Sequence, residues 1–293
     1  MLVTPKEMVV GAVALGALGV MALPISAVAA APDRHLAAGL TGSGKLIRFY
    51  LDDAKDARTI GLPVGLSKDT KLVGIDFRVQ DGRLYGLGNK GGIYTIKLTK
   101  SAPPVKKVSQ LSVALNGTAF GVDFNPAANR LRVISNTGQN LRHNIDDPAG
   151  APAKGVTVAD ATLAYPAVGA DEATTGTGVT AAGYTNNDLS PDTATTVFGV
   201  DTNLNQLVLQ SPANAGLLAA TGRLRVDPGT PAGLDVFSDL NRGVAVSNTF
   251  WATLQVGGKA GLYRLNPLTG QAGRVGIFPA TKQVIDIAVD LDR

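Results

Sequence analysis

LVGIDFRVQDGRLYGLGNKGGIYTIKL, Leu72–Leu98, is the stretch that decides the fold. It reads as three short strands, Val73–Phe77, Arg83–Leu87 and Ile93–Leu98, each apolar or alternating in character. Gln80-Asp81-Gly82 joins the first pair, and Asn89-Lys90-Gly91-Gly92 joins the second. Both connections offer glycine where tight hairpins need positive φ. One such sheet cannot bury both of its faces, so the rest of the chain must supply further copies.

The copies are present. Val73-Gly74-Ile75-Asp76-Phe77 is matched by Phe120-Gly121-Val122-Asp123-Phe124 and by Ala232-Gly233-Leu234-Asp235-Val236, with a loose copy at Thr180-Ala181-Ala182-Gly183-Tyr184. Second and third strands recur as Arg130–Ser135 with Leu141–Ile145, Thr196–Val200 with Gln206–Leu209, and Phe250–Val256 with Gly261–Leu265. A fourth apolar run follows each trio, at Val105–Val113, Val156–Leu163, Leu217–Leu224 and Ala272–Ile277. Self-similarity at a period near 50 residues marks propeller blades.

A further copy is split between the chain ends. Leu36–Leu40, the Gly42-Ser43-Gly44 turn and Leu46–Leu51 read as second and third strands, with Ala57–Leu62 as the fourth. The absent first strand is Val284–Val289, far along the chain. Completing one blade from both ends seals a ring and leaves no unpaired inner edge. The expectation is therefore an all-β, five-bladed β-propeller with four strands per blade. Six blades stay open as an alternative, since Gly243–Asn248 reads as an extra strand and Pro166–Val179 as a long insert.

Composition agrees with this and narrows the chemistry. The 293 residues include 35 Gly and 16 Pro but only 17% charged residues, a turn-rich, helix-poor profile. Only Glu7 and Glu172 are glutamates, and only His35 and His143 are histidines. Without cysteine, disulfides, zinc–thiolate sites and thiol nucleophiles are all excluded. The net charge of +4 is spread, with Lys106-Lys107 the densest basic spot and no aromatic–basic interleaving, so no nucleic-acid partner is expected. Met8–Ala31 is apolar, follows Lys6, and is broken at Pro24 before the small-x-small triplet Ala27-Val28-Ala29. It reads as a signal peptide over residues 1–29, ahead of a single propeller domain over 30–293 that is secreted or periplasmic. An uncleaved anchor is the rival, and would give the only membrane contact.

At GVDFNPAANRLRVISNTGQNLRHN, Gly121–Asn144, the chain resembles the secreted bacterial domain-of-unknown-function family 4394. AAGYTNND (Ala181–Asp188), QSPANAG (Gln210–Gly216) and LYRLNPLTG (Leu262–Gly270) extend the resemblance from roughly Leu36 to Asp290. The resemblance implies an extracytoplasmic propeller and no reaction, so it brings no catalytic residues with it.

The residues themselves suggest two sets of candidates. Asp76, Asp123 and Asp235 occupy equivalent places on inner strands, so they recur at similar depth around the ring. Each is read either as accepting backbone N–H bonds within or between blades, or as presenting oxygens for a hard cation such as Ca²⁺. All channel carboxylates are expected to be repeat-derived, with no lone acid breaking the pattern. The polar loop Asn136–Asn140, with Arg132 and Arg142 nearby, and the insert Ala167–Gly178 are read as lining the ring's entrance. Asn136, Gln139, Asn140, Arg132, Arg142 and Trp251 are thus the ligand-binding candidates, for a polar small molecule, a glycan or a protein. Asp201-Thr202-Asn203-Leu204-Asn205 begins like a calcium loop, but Gln206 and Pro212 fall at its diagnostic positions, so it reads as a hairpin turn. His143 lies on the apolar side of its strand and no Gly-x-Ser-x-Gly motif exists, which argues against triad chemistry. No catalytic residue is assigned. The functional expectation is a non-enzymatic binding or scaffold module, and the alternative is a Ca²⁺-dependent hydrolase or lactonase-like enzyme using the channel aspartates.

Overall fold

The computed structural model describes residues 34–99, 101–169 and 172–292. The signal-peptide reading of residues 1–29 lies outside them. Among the described residues no helix is long and apolar enough to cross a membrane.

The strands in chain order are β1 (Leu36–Thr41), β2 (Leu46–Tyr50), β3 (Asp53–Gly61), β4 (Leu72–Arg78), β5 (Arg83–Gly88), β6 (Gly92–Ile96) and β7 (Val105–Gln110). They continue with β8 (Phe120–Asn125), β9 (Arg130–Ser135), β10 (Asn140–His143), β11 (Thr157–Ala159), β12 (Ala164–Tyr165), β13 (Thr174–Thr175) and β14 (Val179–Tyr184). The last eight are β15 (Val197–Asp201), β16 (Gln206–Gln210), β17 (Leu218–Arg223), β18 (Pro228–Asn241), β19 (Val244–Val256), β20 (Lys259–Leu265), β21 (Ala272–Ile277) and β22 (Val284–Val289). They form five four-stranded antiparallel sheets: β22-β1-β2-β3, β4 to β7, β8 to β11, β14 to β17 and β18 to β21, blades 1 to 5 in that order. The inner strands β22, β4, β8, β14 and β18 each contact the next, and β18 returns to β22, so the ring is closed. Blade 1 is completed from both ends, with Ala37 opposite Val289 and Thr41 opposite Val284.

The hairpin chemistry of the opening stretch is visible in the backbone. Gly82 and Gly91 take φ of 63° and 83°, values that an L side chain resists. Alternation along each strand then sends one apolar set toward each neighbouring blade. The core is accordingly five clusters, one per seam; Tyr85, Leu87 and Ile93 of blade 2 meet Phe120, Val122 and Phe124 of blade 3 in one of them.

Two expectations change in detail. Gly243–Asn248 forms no sixth blade: it belongs to the long β18–β19 hairpin, where Asn241 faces Val244 and Ser238 faces Asn248. The fourth strand of blade 3 is only Thr157–Ala159, because the chain leaves the sheet there to reach blade 4, with the Ala161 N–H bonding to the Asn214 carbonyl at 3.1 Å.

Inner-strand register sets what occupies the ring's centre. Gly74, Gly121, Ala181, Gly233 and Asp286 share one level, and Asp76, Asp123, Gly183, Asp235 and Ala288 share the level two residues on. The first level is sterically tight. A Cβ on Gly121 would sit 2.6 Å from the Ala181 backbone, and one on Gly233 2.6 Å from Asp286 Cα. Glycine at that level lets the inner strands approach.

Candidate functional site

The ring's centre is stitched by side chains that accept backbone N–H groups of the next blade. Asp76 takes the Phe124 N–H at 2.7 Å, Asp123 the Tyr184 N–H, and Asp235 the Val289 N–H at 2.5 Å. Each donor lies one residue beyond the aspartate level, so the same bond is made at three seams. The seam from blade 1 to blade 2 uses Asp286, which takes the Ile75 N–H at 2.8 Å. The seam from blade 4 to blade 5 uses Thr180 Oγ1, which takes the Ala232 N–H at 3.2 Å. All five seams are thus bridged. Inner-strand amides that face the channel would otherwise be buried without a partner.

Asp286 overturns the expectation that no lone acid breaks the repeat. It occupies the level that holds Gly or Ala in the other four blades. Four carboxylates consequently share the centre, each 2–5% exposed. The ion pairs of the described residues lie elsewhere, as at Arg78–Asp146 and Arg132–Asp160. Burial, and then the charge of Asp235, pushes Asp76 well above the usual carboxylate range. Burial followed by the charges of Asp76 and Asp235 does the same to Asp123, and burial chiefly does so to Asp286. Asp235 is pushed up to about 6 by burial, against the pull of its two backbone donors. One oxygen from each of Asp76, Asp123 and Asp235 falls within 4.8 Å of the others. At the N-terminal ends of the inner strands, Val73, Phe120, Pro231 and Ile285 line a cavity of about 50 Å³.

The second feature grows outward from the same face of blade 3. Asp123 faces Arg132 across β8–β9, and Arg132 faces Arg142 across β9–β10, so the three side chains form a row from channel to rim. Arg132, almost fully buried, donates to Asp160 at 2.7 Å, Asn140 at 2.8 Å, Asn214 at 2.7 Å and the Tyr184 hydroxyl at 3.2 Å. Arg142 donates to both oxygens of the same Asp160, at 3.1 and 3.2 Å. Two guanidinium groups therefore share one carboxylate. Burial opposes the charge on Arg132, but Tyr184 and Asp160 outweigh it and keep its pKa above the ordinary value. A pocket of about 230 Å³ opens here between blades 3 and 4, lined by Arg130, Arg132, Arg142, Asn125, Tyr184 and Asn214 among others. Arg130 is held by Asp147 at 3.0 Å.

The sequence candidates do not form one rim. Arg132 and Arg142 line this pocket, and Asn140 backs it by accepting from Arg132. Asn136 and Gln139 instead staple the incoming loop: Asn136 Oδ1 accepts the Thr118 N–H at 2.9 Å, and Gln139 Nε2 donates to the Ala114 carbonyl at 2.8 Å. The insert reaches this loop through the Gly178 N–H to the Asn136 carbonyl at 3.2 Å, and blade 4 through the Thr202 N–H to the Gly178 carbonyl at 2.9 Å. Trp251 lies in blade 5, half-buried against the blade 5–blade 1 cluster, with the Arg264 guanidinium 5.7 Å from its ring centroid. His143 is fully buried; Nε2 lies 2.8 Å from Ser109 Oγ and Nδ1 2.9 Å from Thr157 Oγ1. Asp201 builds a turn, taking the Asn203 and Leu204 N–H groups at 2.9 Å. Arg130, Tyr184, Asn214 and Asp286 escaped the sequence reading. For the pocket residues the signal is weak, since they come from separate blades; for Asp286 it was the register of VIDIAV against the other inner strands.

Three comparisons place the chain among known proteins. No curated protein matches it. Among solved structures it is similar to a protein from Lactobacillus plantarum at 17% identity, covering 83% of this chain and 66% of that one, with TM-score 0.38. It is also similar to a chain of a nidogen/laminin complex (10% identity, 88% and 98% covered, TM-score 0.45). A third is an auxiliary nutrient binding protein from Bacteroides thetaiotaomicron (11% identity, 81% and 56% covered, TM-score 0.42). The chain spans less than two thirds of the length of the first and third of these. Residues 45–288 match the model of the family described as "Domain of unknown function (DUF4394)", and the protein belongs to that family.

Proposed function

We propose that this protein is an extracytoplasmic, non-enzymatic binding module that takes a small polar ligand bearing a carboxylate or phosphate in the pocket between blades 3 and 4. The observation that carries the reading is the sharing of Asp160 by Arg132 and Arg142 at the wall of a 230 Å³ cavity. One carboxylate cannot neutralise two guanidinium groups, so an anion arriving there gains charge-assisted hydrogen bonds. Arg132 is fixed by four partners and so is pre-organised. The tyrosine and asparagines of the lining add donors and acceptors suited to a hydroxylated acid such as a uronic acid. The extracytoplasmic placement rests on the apolar segment Met8–Ala31 alone.

The enzymatic alternative is less favoured. A hydrolase built on Asp76, Asp123 and Asp235 would have to use carboxylates that are almost fully buried and that already accept backbone N–H groups of the neighbouring blades. His143 has both ring nitrogens engaged in the core and is remote from any general-base role.

Calorimetric titration with phosphate, acetate and glucuronate tests the reading. One of these anions is expected to bind the wild-type protein in the millimolar range or tighter. Arg142→Gln should weaken that binding by about tenfold or more, the cost of one charge-assisted hydrogen bond. Its melting temperature should move little, because Asp160 keeps its ion pair with Arg132. Absence of binding by all three anions, or unchanged affinity in the variant, overturns the proposal.

A further inference from the structure

Independently of the anion pocket, we propose that blade 2 carries a second binding site, a groove that takes a single-chain amphipathic anion such as a fatty acid. Its alkyl chain lies along the sheet and its acid group meets the arginine and lysines at the border. The groove follows from a departure from the repeat. One residue past the aspartate level, each blade presents a cross-strand row to the blade before it. In blade 3 the row is Phe124, Leu131, His143 and Thr157, and in blade 4 it is Tyr184, Val197, Gln210 and Leu218. All of these are buried. A side chain at the aspartate level of the preceding blade's second strand reaches each such row. Tyr85 stands edge-on to Phe124 with ring centroids 5.0 Å apart, and Arg132 donates to the Tyr184 hydroxyl at 3.2 Å. Phe198 stands against Phe250 at 4.9 Å, and Trp251 packs on the cluster that holds Phe49 and Val289. Blade 1 has Ala38 at that place, opposite Ala288. It brings a methyl group where the other four blades bring a ring or a guanidinium group.

The row that faces blade 1 is wholly apolar. Phe77, Leu84, Ile96 and Val105 stand in register across the four strands of blade 2. Phe77 and Val105, at its two ends, are only half-buried. With about 4.8 Å between strands the row is roughly 14 Å long. A groove of about 570 Å³ lies along it, a volume within the range of small-molecule sites. Arg83, Lys97 and Lys106, each next in the chain to a member of the row, border the groove, and none of its lining residues is acidic. Among the described residues none of these three cations makes an ion pair. No long basic run marks the blade, yet the imbalance belongs to all of it. Leu72–Gln110 holds seven Lys and Arg against two Asp, a net of +5, whereas the other 254 residues hold 20 against 21. Of the two acids, Asp76 is buried at the ring's centre and Asp81 accepts the Tyr85 hydroxyl at 2.7 Å. An apolar strip bordered by unpaired cations suits a ligand of both characters. The chain removes apolar surface from water, and a carboxylate head gains charge-assisted hydrogen bonds. Lysine serves both ends, with an apolar stem and a charged tip. A strip of this length suits an alkyl chain better than a single ring.

Calorimetric titration of the full-length protein with decanoate, below its micelle concentration, tests the site. Saturable binding of one decanoate per chain is expected, with affinity falling several-fold for octanoate and again for hexanoate as methylenes are removed. Decyltrimethylammonium, with the same chain and the opposite charge, should bind at least tenfold more weakly. Lys97→Glu combined with Lys106→Glu reverses two exposed charges and should weaken decanoate binding at least tenfold while the protein still melts cooperatively. Lys106→Gln alone, with a several-fold loss, is the second variant should the double one fail to fold. Arg142→Gln should bind decanoate as the wild type does, which separates this groove from the pocket between blades 3 and 4. Loss of decanoate binding in Arg142→Gln would mean that the ligand enters that pocket as a simple carboxylate, and overturns the proposal. So does unchanged affinity in the folded lysine variants, or equal affinity for the cationic amphiphile. Absence of saturable decanoate binding, or attachment to phosphatidylglycerol vesicles with none to decanoate, overturns it as well.

Discussion

Asp123 illustrates how one side chain serves two structures at once. Its carboxylate caps the Tyr184 N–H at the channel, and its cross-strand neighbour Arg132 opens the row that leads to the pocket. Asp123→Ala should therefore leave a buried N–H without an acceptor and cost about 1–3 kcal/mol in urea unfolding. Asp123→Asn should cost less, because it keeps an acceptor and removes one charge from a crowded set. His143 gives the pH-dependent counterpart. Burial holds its imidazole down to about 4, below the ordinary 6.5. A depressed histidine pKa means that the unfolded chain binds the extra proton first, so its contribution is intact above pH 6.5 and fades as pH falls toward 4. NMR of the ring should accordingly show neutral His143 at pH 5.5, and His143→Gln should flatten the fall in stability between pH 6.5 and 4. A ring that titrates near 6.5 would contradict its placement between Ser109 and Thr157.

At the scale of the strand, legibility tracked repetition. Val73–Phe77, Phe120–Phe124 and Ala232–Val236 repeat one pattern, so their aspartates and the inner-strand role of each could be read without coordinates. β22 was readable for a different reason: the N-terminal copy lacked a first strand, and VIDIAV was an apolar run with no other partner. Asp286 carried a fainter signal: setting Val284–Val289 against Leu72–Phe77 puts it at the Gly74 level, where an acid departs from the repeat. Arg132 and Arg142 stood out as charged residues on strands, yet their shared partner Asp160 and the neighbour Tyr184 are brought in by tertiary packing. Asn136 was grouped with them by closeness in sequence alone. Four residues along an extended strand span roughly 13 Å, enough to separate one end of a blade from the other. The role of β22 supplies the prediction at this scale. Deleting Val284–Arg293 removes the inner strand of blade 1, along with Asp286 and the Val289 N–H that Asp235 caps. The truncated protein should lose cooperative melting or aggregate, as judged by calorimetry and light scattering; a soluble, sharply melting truncation would refute ring closure as the source of stability.

For the molecule as a whole, five blades around a narrow centre are joined the same way at every seam. The five seams each carry an apolar cluster outside and a side-chain-to-backbone bridge inside. No seam is privileged, so the loss of any one strains the closure of all. The junction between β1 and β22 is distinctive only in the distance along the chain that separates its two strands. β1 leaves the ribosome first among the blade strands, and its inner partner leaves last. A nascent chain therefore carries an unsealed blade 1, with Ala37, Ile47 and Phe49 awaiting the cover that Val284 and Ile287 will bring, for almost the whole of synthesis. Contacts so remote in sequence form slowly, and the partly made ring is the species most prone to sticking to its fellows. Safe production of this protein thus depends on shielding that open edge until translation has finished.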